Sequence, residues 1–203
     1  MKTIFTTVIT AFIITGCSTT SPQISEYTLT TEKPQAQHST SETSSKTLQY
    51  QRIKAPASLS SKSILYIKND QEIGSYLYST WIDSPVIMME RSTLGALQES
   101  RLFANVIPIY SQTKGDYVLE SDLNALYHRI LDTTSSEGTI DITYRLIDLN
   151  TRQCIESKRF VVTNPSDTQD AKGGVKALKK SMEILNGQIV LWLNQTIEMK
   201  KLK

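Results

Sequence analysis

Apolar and polar residues alternate along several stretches of the chain, as in strands that bury one face and expose the other. Ser63 to Lys68 is a short run of this kind, and Glu72 to Tyr78 follows it after the turn residues Asn69 and Asp70. A longer strand begins at Tyr117. One of its faces carries Tyr117, Leu119, Ser121, Leu123, Ala125 and Tyr127, and the other carries Glu120, Asp122, Asn124 and His128. Two more strands, with Ile140 to Leu146 and Cys154 to Val162, complete a predicted antiparallel meander.

Two segments have the three-to-four-residue spacing of helices that pack one face. The first begins at Asp83-Ser84-Pro85, with a side-chain acceptor for the N-cap and proline in the first turn, and is predicted to end near Arg101. Its buried face is Val86, Met89, Thr93, Leu97 and Ser100. The second carries Val175, Leu178, Met182, Leu185, Ile189, Trp192 and Ile197. The predicted fold class is therefore α+β, a two-layer sandwich in which a twisted antiparallel sheet has two helices packed on one face.

The first 17 residues have the pattern of a secretory signal that ends at a lipidation site. Lys2 precedes an apolar run from Ile4 to Ile14, which is shorter than the roughly 20 residues that span a bilayer. Ile14-Thr15-Gly16-Cys17 closes this run and resembles the lipobox of bacterial lipoproteins, in which the cysteine is acylated and becomes the mature N-terminus. Residues 1–16 are predicted to be the signal peptide and Cys17 the lipid anchor. The alternative is an ordinary signal peptide with a coincidental cysteine.

A polar stretch separates this anchor from the periodic part of the chain. Residues 17–49 are predicted to form the lipidated cysteine and a flexible linker, because Ser18 to Gln49 has too few apolar residues to offset the entropy of ordering. A random coil of this length spans roughly 30 Å, which would hold the domain clear of its membrane. Residues 27–29 are a possible strand that returns to the domain. Residues 50–199 are predicted to be the folded α+β domain.

Charge and cysteine content exclude several classes of protein. The formal charge is only +2, with no concentrated basic run, so nucleic acid is not an expected partner. Cys154 is the one cysteine after Cys17, so the mature chain has no second thiol for an intramolecular disulfide. Cys154 is interpreted as a small buried hydrophobic residue in a strand.

No pattern of residues predicts catalysis, a cofactor or a metal. His38 and His128 have no partner at metal-ligand spacing, and no nucleophile motif or phosphate-binding loop is present. Gly173-Gly174 is interpreted as a flexible start to the last helix and not as a phosphate cradle. Tyr76, Tyr78, Trp81 and Trp192 leave two readings open: core packing, or an exposed patch that contacts a partner or acyl chains. The chain is therefore predicted to be non-enzymatic.

Short motifs, taken in order along the chain, resemble the ABC-type transport auxiliary lipoprotein family. They are Tyr27-Thr28-Leu29, Ile64-Leu65-Tyr66, Tyr76-Leu77-Tyr78-Ser79-Thr80-Trp81, Leu102-Phe103-Ala104-Asn105-Val106, Asp116-Tyr117-Val118-Leu119, Ile147-Asp148, Phe160, and a helix with Val175, Ala177, Leu178 and Trp192-Leu193. The long polar stretch after Cys17 and the thin Ala55-Pro56 segment depart from the family pattern.

This resemblance implies an auxiliary subunit of an MCE-type ABC system that moves lipids between the inner and outer membranes. The implied partners are an MCE-domain protein, the membrane through acyl chains on Cys17, and further copies of the chain. An aspartate directly after the acylated cysteine resembles a signal for retention in the inner membrane. This chain has Ser18 at that position, which favours the periplasmic face of the outer membrane. The alternative function is a structural lipoprotein that assists assembly of another outer-membrane complex. A docking or ring-forming role is expected, because a two-layer domain of this size leaves little room for a lipid tunnel.

Overall fold

The computed structural model describes residues 22–30 and 44–201, which contain eight strands and three helices. The strands are β1 Ser25–Tyr27, β2 Ser44–Tyr50, β3 Ser63–Lys68, β4 Glu72–Trp81, β5 Phe103–Pro108, β6 Tyr117–Ile130, β7 Ser136–Asp148 and β8 Gln153–Pro165. The helices are α1 Ala57–Ser60, α2 Pro85–Glu99 and α3 Ala171–Lys201. The predicted signal peptide, Cys17 and residues 31–43 lie outside the described residues.

One sheet contains all eight strands and is forked around the long strand β6. On one side of β6, β7 and then β8 form the predicted antiparallel meander. On the other side, β2 pairs with the start of β6 at 117–119, and β3 pairs with its end at 128–130. β5 extends the first branch, and β4 followed by β1 extends the second. The chain between β2 and β3 continues along β6 through a bridge of Lys54 to Asp122.

The predicted α+β sandwich is confirmed, but the sheet is mixed and not antiparallel. β2 and β3 both run parallel to β6, β2 runs parallel to β5, and β1 runs parallel to β4. Parallel neighbours need long crossover connections, and α2 lies within the one that leads from β2 to its parallel neighbour β5. Periodicity predicts that a segment is a strand but carries no information about which strand lies beside it.

The sheet also includes segments that were predicted to be linker. Residues 44–49 belong to β2, which lies between β5 and β6, and Leu48 is fully buried. The folded part of the chain therefore begins before Tyr50, the predicted start of the domain. A short strand does return to the sheet near the predicted position, at Ser25–Tyr27, and Leu29 after it is also fully buried. The polar side chains of Ser44 and Lys46 give this segment no apolar alternation from which a strand could be predicted. It is a strand nevertheless, because backbone groups of the neighbouring strands hold it by hydrogen bonds.

A bulge in β6 reverses the predicted faces of its second half. The register of β6 against β7 shifts between Leu123 and Ala125, so one residue of β6 is left unpaired. Before the bulge, Leu119 and Leu123 face the helices as predicted; after it, Leu126 and His128 do so. His128 was predicted on the polar face and is instead fully buried.

α2 and α3 cover the same face of the sheet, and their predicted apolar faces are confirmed. All seven residues of the α3 pattern and all five of the α2 pattern are buried. α2 begins at Pro85 with Ser84 as N-cap, although the Ser84 side chain makes no capping hydrogen bond. α3 meets β7 at Gly138, whose carbonyl accepts a 2.7 Å hydrogen bond from the hydroxyl of Ser181. The layer between sheet and helices is thus filled by side chains.

Candidate functional site

A groove beside α2 is the candidate binding surface of the described residues. It has a volume of about 590 Å³ and lies between α2, the segment after β2 and the end of β5. We call it the α2 groove. Its lining residues are Tyr50, Arg52, Ile53, Ser60, Ser84, Val86, Ile87, Glu90, Arg91, Leu94, Pro108, Ile109 and Tyr110. Ile87, Ile109 and Tyr110 are exposed there, so the groove presents apolar side chains to its surroundings.

Charged groups at the wall of the α2 groove connect its two sides. The carboxylate of Glu90 accepts a 2.8 Å hydrogen bond from the backbone N–H of Ile53, which ties α2 to the segment after β2. Burial raises the pKa of Glu90, while that hydrogen bond and nearby Arg52 oppose the rise. Arg91 lies 3.8 Å from Asp83 at the start of α2. Apolar and aromatic side chains beside arginine are typical of protein interaction surfaces.

A buried polar cluster lies behind the groove and joins the two helices. The hydroxyl of Thr93 donates to the side-chain oxygen of Asn186 at 3.1 Å, and the amide of Asn186 donates to the hydroxyl of Ser92 at 3.0 Å. Burial raises the pKa of the neighbouring Tyr50 phenol and raises that of Tyr144 to about 12, so both stay neutral. These contacts fix the position of α2 on α3 and hold the floor of the groove.

His128 is the described residue whose side chain is best suited to act as a catalytic base, but its contacts are those of a packed core residue. Its Nδ1 lies 2.6 Å from the hydroxyl of Tyr76, and the first turn of α3 lies against its ring, where a Cβ on Gly174 would approach to 2.5 Å. Burial lowers the pKa of His128, and nearby Asp170 opposes that change. No substrate can reach a ring that is 0% exposed. The close packing of α3 against His128 therefore depends on the absence of a side chain at Gly174.

The sheet face opposite the helices carries ion pairs between its strands. Arg159 binds Asp141 through two nitrogens at 2.9 and 2.5 Å, which lowers the pKa of Asp141. Arg145 binds Asp122, and it lies 3.7 Å from Glu120. Glu120 and Asp122 were both predicted on this face. Among residues 22–30 and 44–201, no group of three or more His, Cys, Asp or Glu side chains could hold a metal ion.

The aromatic cluster divides between core and surface, and its exposed part belongs to an apolar edge. Trp81 and Trp192 are buried, and Tyr76 is half-buried against His128. Tyr78 is 51% exposed and its neighbour Leu77 is 78% exposed. With Ile24, Ile73 and Ile82, which are also exposed, these residues lie on β4, directly after β4 and directly before β1. We call this set the β4 edge patch.

Of the remaining candidate residues, one has an exposed thiol and two lie outside the described part of the chain. Cys154 is exposed, and not buried as predicted, because a register shift between Leu146 and Ile147 changes the alternation at the start of β8. Cys17 and His38 lie outside the described residues. None of the described helices is long and apolar enough to cross a membrane. Sequence reasoning missed the α2 groove, since its walls come from segments that are distant in sequence.

Comparison with solved structures shows the same fold in proteins of low sequence identity. Protein XCC0632 from Xanthomonas campestris matches 90% of this chain and 98% of its own length, with a TM-score of 0.73 and 20% identity. The hypothetical protein CT253 from Chlamydia trachomatis matches 76% of this chain and 98% of its own, with a TM-score of 0.52 and 8% identity. No curated protein matches the sequence.

The sequence also matches a family model over most of its length. The matched residues are 27–190, which run from β1 into α3 and include every strand of the sheet except the first two residues of β1. The chain belongs to the family of ABC-type transport auxiliary lipoprotein components.

Proposed function

We propose that this protein is the non-enzymatic auxiliary lipoprotein of an MCE-type ABC system that moves lipids between the inner and outer membranes. Acyl chains on Cys17 hold it at the periplasmic face of the outer membrane, and its domain docks an MCE-domain protein of the transporter. The observation that carries this proposal is the family match over residues 27–190. The alternative of a structural lipoprotein for another complex has no separate observation in its favour.

The packing between the two layers supports docking over lipid carriage. Ile142, Leu185 and Ile189 are fully buried in this layer, each with 0% exposure. At Gly138 the strand approaches the backbone of α3 so closely that no Cβ fits between them. An acyl chain loses about 0.8 kcal/mol for each CH₂ group left in water, so a carrier needs an enclosed apolar path. This filled layer offers none between β7 and α3.

The α2 groove is the surface on which we place the docking contact. Its exposed Ile87 and Ile109 stand beside Glu90 and Arg91, a combination that suits a partner segment with both apolar and charged groups. Ile87→Glu puts a charge inside this surface without changing the sheet. Leu131→Glu is the matched control, because Leu131 is also exposed but lies in the β6–β7 loop.

Copurification from detergent-solubilised envelopes tests the proposal. The wild-type lipoprotein and the Leu131→Glu variant are expected to recover an MCE-domain protein, and Ile87→Glu is expected to recover much less. Recovery of no MCE-domain protein with the wild type would contradict the proposed function. Equal recovery by both variants would contradict only the assignment of the groove. Cys17→Ser is expected to release the protein from the membrane fraction or leave an uncleaved precursor, and normal processing with membrane retention would contradict the anchor.

A further inference from the structure

The position of β1 shortens the tether between the lipid anchor and the folded domain. β1 pairs with Ser79–Trp81 of β4 and is thus part of the sheet, so residues 31–43 connect two strands of one sheet and do not separate the domain from the membrane. The tether is only the chain from Cys17 to Ser25. Those eight residue steps reach at most about 28 Å when fully extended. The distance of the domain from the bilayer is therefore set by this short segment.

The tether leaves the sheet over the β4 edge patch. In the parallel pairing Ser25 lies opposite Ser79, so the chain preceding Ser25 continues toward Tyr78 and Leu77. Ile24 is the first residue on that path and is 59% exposed. β1 covers only the last three residues of β4, and Ile73, Leu77 and Tyr78 lie beyond it on the outer edge. The described apolar residues along this path are thus exposed to the surroundings.

We propose that the β4 edge patch lies against the lipid bilayer, with Ile24, Leu77 and Tyr78 at the headgroup level. This inference rests on the acylation of Cys17 in the proposed function. Tyrosine and aliphatic side chains along one edge of a sheet suit the boundary between headgroups and acyl chains. A bilayer is favoured as the occupant because a tether of at most about 28 Å keeps this edge within reach of it.

The charges around the patch indicate that the contact is apolar and not electrostatic. Glu26 is exposed on β1, and Lys62 donates a 2.9 Å hydrogen bond to the carbonyl of Ile82. Asp83 and Arg91, 3.8 Å apart, lie just beyond Ile82. Glu72 adjoins Ile73 and lies opposite Lys68 on β3. The three acidic and three basic groups balance, so attraction to anionic lipid contributes little. The contact is therefore expected to persist at high salt, which screens exposed charges.

Quenching of tryptophan by brominated acyl chains tests the contact in the acylated protein. Leu77→Trp and Tyr78→Trp place reporters in the patch, and Val161→Trp is the control at the opposite edge of the sheet, on β8, where Val161 is 56% exposed. The native Trp81 and Trp192 are buried and give a common background. The lipoproteins are reconstituted in vesicles of phosphatidylethanolamine and phosphatidylglycerol with brominated chains, at low and high salt.

We expect several-fold stronger quenching of both patch reporters than of the Val161→Trp control, at either salt concentration. Two patch reporters keep the test valid if one variant does not fold, which circular dichroism checks. Patch reporters that are quenched no more than the control, in protein that floats with the vesicles, would overturn the inference and indicate that a protein or a second copy covers this edge. Protein that does not float with the vesicles would contradict the lipid anchor itself.

Discussion

Substitution of Gly138 by alanine tests the contact that joins the two layers of the fold. An added Cβ at Gly138 would lie 2.6 Å from the backbone carbon of Ala177 and 2.9 Å from its Cβ, and closer still to the backbone nitrogen of Leu178. Rotation of a side chain cannot relieve a clash with helix backbone. The helix must instead move away from β7, which would also lengthen the 2.7 Å hydrogen bond from Ser181 to the carbonyl of Gly138.

The expected cost follows from the closeness of these contacts. Overpacking by one methyl group typically costs about 1–3 kcal/mol in a packed core, and the clash with backbone places Gly138→Ala at the upper end. For a domain of this size, each 1 kcal/mol changes the melting temperature by about 2–4 °C, so a fall of roughly 6–12 °C is expected.

Gly187→Ala is the matched control, because the same substitution at this position is predicted to stabilise the domain. Gly187 lies inside α3, and nothing stands within 4 Å of the position of an added Cβ. Alanine stabilises a helix interior by about 0.5–1 kcal/mol relative to glycine, which corresponds to a rise of a few degrees. Thermal unfolding of the mature chain carrying Cys17→Ala, followed by circular dichroism, measures both variants. A Gly138→Ala variant as stable as its parent would refute the close approach of α3 to β7.

Two further predictions concern buried polar groups. Burial lowers the pKa of folded His128 below that of the unfolded chain, so the unfolded state binds more protons and stability falls as the pH drops below about 6.5. His128→Gln is expected to reduce the loss of stability between pH 7.5 and 5.5, and denaturant titrations that show the same loss in both proteins would contradict this. Asn186→Leu is expected to destabilise the domain by about 1–3 kcal/mol, because Ser92 and Thr93 lose their partner. Adding Ser92→Ala and Thr93→Val is expected to recover part of that loss, and a triple variant weaker than Asn186→Leu alone would contradict the assignment.

Local periodicity was sufficient to predict the elements that bury one continuous face. The α2 and α3 faces and the inward side of β7 follow directly from the spacing of apolar residues, since each residue's direction depends only on its place in a regular element. The two-layer α+β class follows from these faces, because each apolar face must be covered by another element. The family resemblance could likewise be recognised from short motifs.

Tertiary structure alone decided the features that depend on pairing between distant segments. β2 is polar at five of its seven positions and is a strand because β5 and β6 supply backbone partners on both sides. The bulge in β6 appears only against β7, and it moves His128 from the predicted polar face into the core. β1 joins the sheet by pairing with β4, inside the segment of 32 residues that was predicted to be linker. Neither backbone pairing nor register is encoded in the period of a single strand, and for that reason the groove and the apolar edge emerged only from the folded chain.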